Sequence, residues 1–253
     1  MKITSNFDSG NIEVVSIDPK KNAIRLKIRK DTNSDFFQWF HFRLTGAVDQ
    51  RCKISIINAG KSSYPGGWKN YQACASYDRE EWFRVPTTFR NGILTIDFEP
   101  EHNSVYFASF APYSYERHLD LIHETQLFDN VSMEVVGKTF EGRDIEMLRV
   151  GKPGKNKKII WVIARQHPGE SMAEWFIEGM LSRLLDEDDP VSRTLLKEAV
   201  FYVVPNMNID GSIAGNLRSS ASGANLNREW QRPTKKYSPE VFYVRNKMDE
   251  TGM

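Results

Sequence analysis

Short stretches in which apolar and polar residues alternate fill the first half of the chain. Residues 23–29 alternate apolar and basic side chains, which is typical of a strand with one buried face and one solvated face. Asn91-Gly92 separates two apolar runs and is a strong signal for a β-hairpin. Similar strand-like segments occupy residues 12–17, 37–44, 52–57, 73–77, 93–98 and 104–110. The pattern predicts an N-terminal antiparallel β-sandwich domain over residues 1–118.

The pattern changes in the second half, where longer apolar runs alternate with helical segments. Residues 159–164 and 200–204 are continuous apolar runs suited to buried strands, and shorter strands are predicted at 131–136 and 145–150. A helix is predicted between the two runs, and a strand, a helix and a strand in this order indicate a βαβ unit. We therefore predict that residues 119–253 form an α/β domain, with a mixed sheet flanked by helices.

Periodicity and capping signals predict helices in this second half. The helix over residues 169–186 carries an apolar stripe that we assign to the core, formed by Met172, Trp175, Phe176, Gly179 and Leu184. Ser114 is a candidate N-cap for an earlier helix. A last helix is predicted to start at Pro239, behind an N-cap at Ser238.

Composition narrows the class of protein. Of 253 residues, 40% are hydrophobic and 26% are charged, which is typical of a soluble globular protein. The net charge of +1 gives no electrostatic reason to expect nucleic acid or an anionic membrane as a partner. The N-terminus lacks the apolar segment of a signal peptide, and no apolar stretch approaches the ~20 residues of a membrane span. Since Cys52 and Cys74 are the only cysteines, a reduced, cytoplasmic location is the simplest expectation.

The candidate chemistry starts in the loop that follows the apolar run 159–164. His167 and Glu170 lie three residues apart in this loop, directly after the predicted strand. Histidine nitrogen and carboxylate oxygen are ligands of catalytic zinc, and α/β proteins bind ligands at the carboxyl ends of parallel strands. The pair is therefore a candidate metal site. The alternative is a surface turn that holds a His and a Glu by chance.

A second polar loop follows the run 200–204, and it leads into a long loop rich in small residues. The long loop carries Arg218, Asn227 and Arg228. A guanidinium group binds a carboxylate through two hydrogen bonds, and an Asn amide both donates and accepts. A metal that polarises a carbonyl beside such a clamp is what removal of a C-terminal residue requires. The polar residues directly after the run are predicted to fix their own loop: Asn206, Asn208 and Asp210.

Three motifs resemble, in order and register, those of the zinc metallocarboxypeptidases. They are His167-Pro168-Gly169-Glu170, Pro205-Asn206-Met207-Asn208-Ile209-Asp210-Gly211 and Asn225-Leu226-Asn227-Arg228. The N-terminal half, with its segments 82–87 and 111–117, resembles the cytosolic carboxypeptidase subfamily, which places a β-sandwich before the catalytic domain. The resemblance covers nearly the whole chain.

The resemblance implies a role for each site residue. It implies that His167 and Glu170 are two of three protein ligands of a Zn²⁺ ion. Asn227 and Arg228 would bind the terminal carboxylate of a peptide or protein substrate. Arg218 would assist in substrate binding and would act in catalysis by stabilising the oxyanion. Because some family members trim glutamates, acidic C-terminal residues are the implied preference.

The sequence departs from the family pattern after Arg228. The family has a second His ligand, a Tyr and a general-base Glu further along, and no His follows His167 here. We therefore expect a C-terminally truncated catalytic domain, inactive and weak in zinc binding in this form. Two alternatives stay open: a zinc deacylase or amidase on the same scaffold, and a non-catalytic protein-binding module with a vestigial zinc site.

Overall fold

The computed structural model describes residues 1–252, which form two compact units. Residues Met1–Pro112 and Ile213–Leu217 form the first, which we call the β unit. Residues Tyr113–Ser212 and the chain from Arg218 onward form the second, which we call the α/β unit. The predicted layout of a β-rich domain followed by an α/β domain is confirmed.

The β unit consists of short strands in two sheets. In chain order the strands are β1 (Lys2–Thr4), β2 (Glu13–Asp18), β3 (Ala23–Lys27), β4 (His41–Thr45), β5 (Cys52–Ile56), β6 (Ala73–Ser76), β7 (Phe83–Val85), β8 (Thr87–Arg90), β9 (Ile93–Phe98) and β10 (Ser104–Ala108). One sheet has the order β1-β4-β10-β6-β7, and the other has the order β2-β3-β5-β9-β8. Buried apolar residues from both sheets form one core, among them Phe42 and Phe107 from the first sheet and Ile24 and Ile54 from the second.

One strand pair differs from the antiparallel sandwich that the sequence predicts. Strand β3 pairs with β5 in parallel, whereas its other neighbour, β2, is antiparallel to it. The chain leaves this sheet after β3, forms β4 in the other sheet, and returns as β5 in the original direction. This change of sheet accounts for the parallel pair.

The predicted hairpin at Asn91-Gly92 is present between β8 and β9. Both residues have positive φ, 51° for Asn91 and 76° for Gly92. Two-residue hairpin loops of this kind need positive φ at both positions, and Asn-Gly adopts them at low steric cost. Local sequence therefore fixes the register of the β8–β9 pair.

The α/β unit contains a mixed sheet with helices beside it. Its elements are α1 (Tyr115–Thr125), β11 (Val131–Lys138), β12 (Asp144–Val150), β13 (Lys158–Ile163), α2 (Met172–Leu184), α3 (Pro190–Glu198), β14 (Ala199–Val204), all but the last two residues of α4 (Ile209–Ala214), and α5 (Pro239–Thr251). The sheet order is β11-β12-β14-β13, and only the β13–β14 pair among these neighbours is parallel. The predicted βαβ unit is therefore present. Across residues 1–252, no helix is both long enough and apolar enough to span a bilayer.

The parallel pair determines where the candidate site lies. Ile163 at the end of β13 is paired with Val204 at the end of β14, so the two following loops start side by side. Backbone hydrogen bonds extend this pairing, from Ala164 N to Val204 O and from Met207 N to Ala164 O, each at 3.0 Å. The two polar loops singled out in the sequence therefore meet at one edge of the sheet, as expected for carboxyl ends of parallel strands.

The predicted apolar stripe of α2 is wrong except at Leu184, which is buried in the core as predicted. The residues that α2 buries are Glu174, Ile177, Leu181 and Leu184, whereas Met172 and Phe176 are 43% and 61% exposed. A charged residue takes a core position because cationic partners surround it, so hydropathy alone assigns the buried face incorrectly. Phe176 instead lines a cavity beside the His167 loop.

The two predicted N-caps have different outcomes. The Ser114 side chain accepts a hydrogen bond from the backbone N–H of Arg117 at 3.1 Å and so caps α1 as expected. Ser238 precedes α5 without capping it through its side chain. Its hydroxyl oxygen instead accepts from the backbone N–H of Thr234 at 3.2 Å, which closes the preceding turn.

Candidate active site

His167 and Glu170 lie close together directly beyond the carboxyl end of β13. The Nδ1 atom of His167 is 3.0 Å from Oε1 of Glu170. A tight turn brings the residues together, in which the backbone N–H of Glu170 donates to the His167 carbonyl at 3.1 Å. The His167 residue is only 8% exposed, whereas the Glu170 side chain is 54% exposed. The two donor atoms are thus within the reach of one metal ion, as their spacing predicts.

The hydrogen bond of His167 Nε2 determines whether Nδ1 is available to bind a metal ion. Its Nε2 atom is 3.1 Å from Oδ1 of Asn225. An amide oxygen only accepts, so Nε2 carries a proton and donates it, and in the neutral ring Nδ1 keeps the lone pair. Nδ1 faces a carboxylate oxygen: in the protonated ring it donates a hydrogen bond to Glu170, and in the neutral ring its lone pair is available to a cation between the two atoms. A hydrogen bond from the non-ligating nitrogen is how proteins orient a metal-binding His.

The electrostatics of Glu170 favour its ionised form. The hydrogen bond with His167 holds the pKa of the Glu170 carboxyl below its usual value, although partial burial acts in the opposite direction. The positive charges of His167 and Arg218 also lower it. Glu170 is therefore a carboxylate at neutral pH, the form that binds a metal ion.

The pair fits part of a zinc site. Two zinc ligands at 2.0–2.2 Å from the metal with tetrahedral geometry lie about 3.3–3.6 Å apart, slightly more than the 3.0 Å between Nδ1 and Oε1. Within residues 1–252, no group of three His, Cys, Asp or Glu side chains is placed to hold a metal ion. The described residues thus bring together two side chains of the kind that bind catalytic zinc, which takes three protein ligands.

The Asn residues of the loop after β14 fix that loop and its neighbour. The side-chain oxygen of Asn206 accepts from the backbone N–H of Asn208 at 2.8 Å. Asn208 in turn donates through Nδ2 to the carbonyl of Gln166 at 3.0 Å and accepts from the backbone N–H of Gly211 at 3.2 Å. Both side chains act on backbone groups, which agrees with the loop-fixing role predicted from the sequence.

Asp210 also has a structural role, because both of its carboxylate oxygens accept hydrogen bonds from neighbouring residues. Its Oδ1 accepts from the Thr139 hydroxyl at 3.0 Å and from the Arg143 guanidinium at 2.6 Å, and its Oδ2 accepts from the Glu141 backbone N–H at 2.8 Å. These three partners belong to the turn between β11 and β12. Asp210 therefore ties that turn to the loop after β14.

The three residues predicted to bind substrate differ in their placement. Asn227 lines a cavity of about 420 Å³ together with His167, Glu170 and Phe176. Arg218 is half-buried, and its charge acts on the Glu170 carboxyl. Arg228 is exposed, and its guanidinium donates to the Asn227 carbonyl at 3.0 Å. The structure thus brings Asn227 and the His167–Glu170 pair to one cavity, while the Arg228 side chain extends into solvent.

Two buried residues behind the site carry no motif signal in the sequence. Arg165 and Glu174 are 3% and 0% exposed and form an ion pair at 2.7 Å between Nη1 and Oε2. The signal that could have identified Glu174 is its spacing and not a motif, since it lies three residues before Ile177 on the buried face of α2. An acid at such a position indicates a buried partner.

Comparisons with known proteins assign the chain to a family. A family model described as the cytosolic carboxypeptidase N-terminal domain matches residues 3–110, and one described as zinc carboxypeptidase matches residues 116–248. An uncharacterized protein of Zymomonas mobilis subsp. mobilis is 51% identical over 253 residues, which cover 100% of this chain and 65% of that protein. Cytosolic carboxypeptidase 1 of Xenopus laevis is 28% identical over 293 residues, which cover 97% of this chain and 24% of that protein.

A solved structure is similar throughout the chain. The crystal structure of a metallo-carboxypeptidase from Burkholderia cenocepacia has a TM-score of 0.97 and 52% sequence identity, and the match covers 99% of this chain and 67% of that one. The chain spans less than two thirds of the length of the Zymomonas and Xenopus relatives. From its motifs, its fold and these matches, the chain belongs to the zinc carboxypeptidase family and carries the N-terminal domain of the cytosolic carboxypeptidases.

Proposed function

We propose that this chain contributes the N-terminal domain, residues 1–118, and part of the catalytic domain, residues 119–253, of a zinc-dependent metallocarboxypeptidase. The enzyme would remove C-terminal amino acids from peptides or proteins. The observation that carries the proposal is the approach of His167 Nδ1 to Glu170 Oε1 at 3.0 Å, in a cavity that Asn227 also lines. A metal-ligand pair beside an amide that can bind a carboxylate suits an exopeptidase better than an endopeptidase.

His167 and Glu170 would hold the zinc ion, which when bound supplies a Lewis acid that polarises the scissile carbonyl. Asn225 keeps the His167 ring in the tautomer with a lone pair on Nδ1. Arg218 places a positive charge near Glu170 and would stabilise negative charge that develops on the carbonyl oxygen. Asn227 and Arg228 would bind the free carboxylate of the substrate, and this contact fixes which peptide bond lies at the metal.

We propose that residues 1–253 alone bind zinc weakly and do not turn over substrate. A catalytic zinc site takes three protein ligands and leaves a position for water, and the described residues provide two ligands. The same residues offer no assigned general base to accept a proton from that water. We further propose a preference for acidic C-terminal residues, which is implied by the resemblance to family members that trim glutamates.

A cytoplasmic location is part of the same proposal. Both cysteines, Cys52 and Cys74, are free and buried. Burial raises the pKa of both thiols, so neither is activated for disulfide exchange. Unpaired thiols suit a reducing compartment, and fractionation of cells that produce the protein would test the location.

The function is tested by comparing two chains. One is the 253-residue chain; the other is this chain joined to the part of the Burkholderia cenocepacia protein that has no counterpart here. Each is assayed for bound zinc and for hydrolysis of peptides that end in Glu, Asp, Leu or Lys, with free or amidated C-termini.

We expect the joined chain to hold one zinc per molecule and to cleave only peptides with a free carboxylate. Equal cleavage of amidated peptides would contradict the Asn227–Arg228 clamp. Hydrolysis of N-acyl amino acids without peptide cleavage would indicate a deacylase instead. Absence of zinc from both chains would indicate a vestigial site on a binding module.

A further inference from the structure

Glu174 is the centre of a buried hydrogen-bond network behind the candidate site. Its side chain has no exposed surface. Oε1 is 2.6 Å from Nδ1 of His118, and Oε2 accepts from Arg165 Nη1 at 2.7 Å and from Asn206 Nδ2 at 3.1 Å. One carboxylate on α2 therefore binds α1, the start of the loop after β13, and the loop after β14.

Arg165 connects this carboxylate to the backbone of the His167 loop. Its Nε donates to the carbonyl of Pro168 at 3.0 Å, and Nη1 also donates to the carbonyl of Tyr113 at 2.9 Å. Its φ angle is +49°, a left-handed conformation that is uncommon for residues other than glycine. Such a conformation persists where surrounding contacts hold it, and the three contacts of the buried guanidinium do so.

The network continues through Asn206 and returns to the same loop. The side chain of Asn206 accepts from the backbone of Asn208, and Asn208 donates to the carbonyl of Gln166. Glu174 is thus connected to residues on both sides of His167, to Gln166 by the asparagines and to Pro168 by Arg165. The peptide units that flank the candidate ligand are fixed from one buried point.

The charges of the network are balanced when His118 is protonated. His118 also lies 3.6 Å from Oε2 of Glu146, measured from Nε2. Burial lowers the pKa of His118, but the two glutamates outweigh it and raise the pKa to about 9. Two cations, Arg165 and His118, therefore face two carboxylates, Glu174 and Glu146. Glu174 is hydrogen-bonded to both cations, whereas Glu146 balances the charge of His118 without a hydrogen bond to it. Buried charges are tolerated in a protein interior when they are paired in this way.

We propose that Arg165 and Glu174 are positioning residues for the metal site: the pair holds the His167 loop so that Nδ1 of His167 faces Glu170. That the bound metal is zinc rests on the proposed function. That the His167 ring is held in place rests only on the hydrogen-bond network. Arg165 also lines the cavity beside the His167 loop, but the hydrogen bonds of Arg165 and Glu174 reach the loop at Pro168 and, through the asparagines, at Gln166. Their effect on zinc is therefore transmitted through Gln166 and Pro168.

Glu174→Gln and Glu178→Gln are the matched variants that test this proposal. Glu178 lies one turn further along α2 and also pairs with an arginine, since its carboxylate accepts from Arg117 at 2.7 and 2.8 Å. Its partners are Arg117 and Tyr113, and none of these bonds involves residues 165–170. Arg165→Lys is a second test variant, because it keeps the positive charge but cannot bind Pro168 and Glu174 with one planar group.

Two readouts are measured on the full chain after circular dichroism has confirmed folding. The first is the dissociation constant for Zn²⁺ alone, from competition with a chromophoric chelator, with His167→Ala as the reference for loss of the site. The second is the tautomer of the His167 ring, from ¹⁵N chemical shifts of histidine-labelled protein without metal. The second readout does not depend on whether the site binds zinc.

We expect Glu174→Gln and Arg165→Lys to weaken zinc binding by roughly 10–100-fold, the range for partners that orient a ligand, and to mix the His167 tautomers. Glu178→Gln should leave both readouts unchanged. Unchanged tautomers in Glu174→Gln and Arg165→Lys would overturn the positioning role. Zinc binding that is insensitive to His167→Ala would instead overturn the metal assignment, and the tautomer readout would still decide the positioning role. If Glu174→Gln does not fold, Arg165→Lys alone decides it.

Discussion

The loop after β13 has two sides with opposite properties. On its inner side, Arg165 and Glu174 are buried and bound to each other. Arg165 also donates to two backbone carbonyls, and Glu174 accepts from the side-chain amide of Asn206. On its outer side, His167 Nδ1 faces a carboxylate oxygen of the half-exposed Glu170, and in the neutral ring, with Nε2–H donating to Asn225, both of these atoms are acceptors. The hydrogen-bonding groups of Arg165 and Glu174 on the inner side already have partners, whereas His167 Nδ1 and the Glu170 carboxylate on the outer side can still bind a cation. The difference separates residues that fix the site from residues that would do chemistry.

The largest expected effect follows from removing the inner carboxylate. Glu174→Ala leaves Arg165 and His118 buried with fewer anions, and we expect a loss of about 3–5 kcal/mol in the free energy of unfolding. Glu170→Ala, the matched change on the outer side, should cost under about 1 kcal/mol because that carboxylate is half-exposed. Urea unfolding at pH 7 measures both. Equal losses in the two variants would remove the distinction between the sides.

Deprotonation of His118 on the inner side is expected to lower the free energy of unfolding by somewhat less than Glu174→Ala does. The folded-state pKa of His118 is raised to about 9 from its ordinary 6.5. Its contribution to stability is therefore fully present below about pH 6.5 and is lost as the pH rises through 9. We expect a loss on the order of 3 kcal/mol between pH 6 and pH 9.5. The measurement is the free energy of unfolding against pH, and a similar decline in His118→Gln would contradict this assignment.

Glu240 contrasts with Glu174, because it is a buried acid without a balancing cation among its contacts. Burial raises the pKa of the Glu240 carboxyl to about 7, and the charge of Asp210 adds to this, whereas hydrogen bonds that include the Phe140 N–H lower it. Its Oε2 has no hydrogen-bond partner among residues 1–252. The contribution of Glu240 to stability is thus present below about pH 4.5 and lost as the pH rises through 7.

We expect this loss to be roughly 2 kcal/mol between pH 5 and pH 8. Glu240→Gln cannot ionise, so its stability should stay nearly level over that range after the other groups are accounted for. Thermal unfolding of both proteins at pH 5 and pH 8 provides the comparison. The idea fails if Glu240→Gln loses as much stability as the unmutated protein between the two pH values.

The smallest effect on folding is expected at Arg228. Its side chain is exposed and donates to the carbonyl of the adjacent Asn227, so Arg228→Ala should change the free energy of unfolding by less than about 0.5 kcal/mol. In an active, extended chain the same variant should raise KM for free-acid peptides and change kcat little, since it removes a contact made before reaction. A large loss in the free energy of unfolding would instead give Arg228 a structural role like that of Arg165 and Glu174.

The sequence predicts the outer side of the loop much better than the inner side. His167 and Glu170 are close in the chain, and the turn between them follows from local spacing after a strand. The Asn91-Gly92 hairpin is likewise a local feature. The burial of Glu174 depends on His118, which is 56 residues away in the chain, so local pattern assigns that helix face incorrectly. The same reason applies to the parallel β3–β5 pair, since β4 has to be placed in the other sheet before that direction follows.

The most direct test of the central claim is X-ray diffraction at the zinc absorption edge from crystals of this protein grown with zinc. The account predicts an anomalous peak about 2.0–2.2 Å from both His167 Nδ1 and a Glu170 carboxylate oxygen. It also predicts that Asn225 stays bound to Nε2 and that Arg165 stays bound to Glu174. A peak at another site, or a zinc bound through Nε2 of His167, would contradict the account.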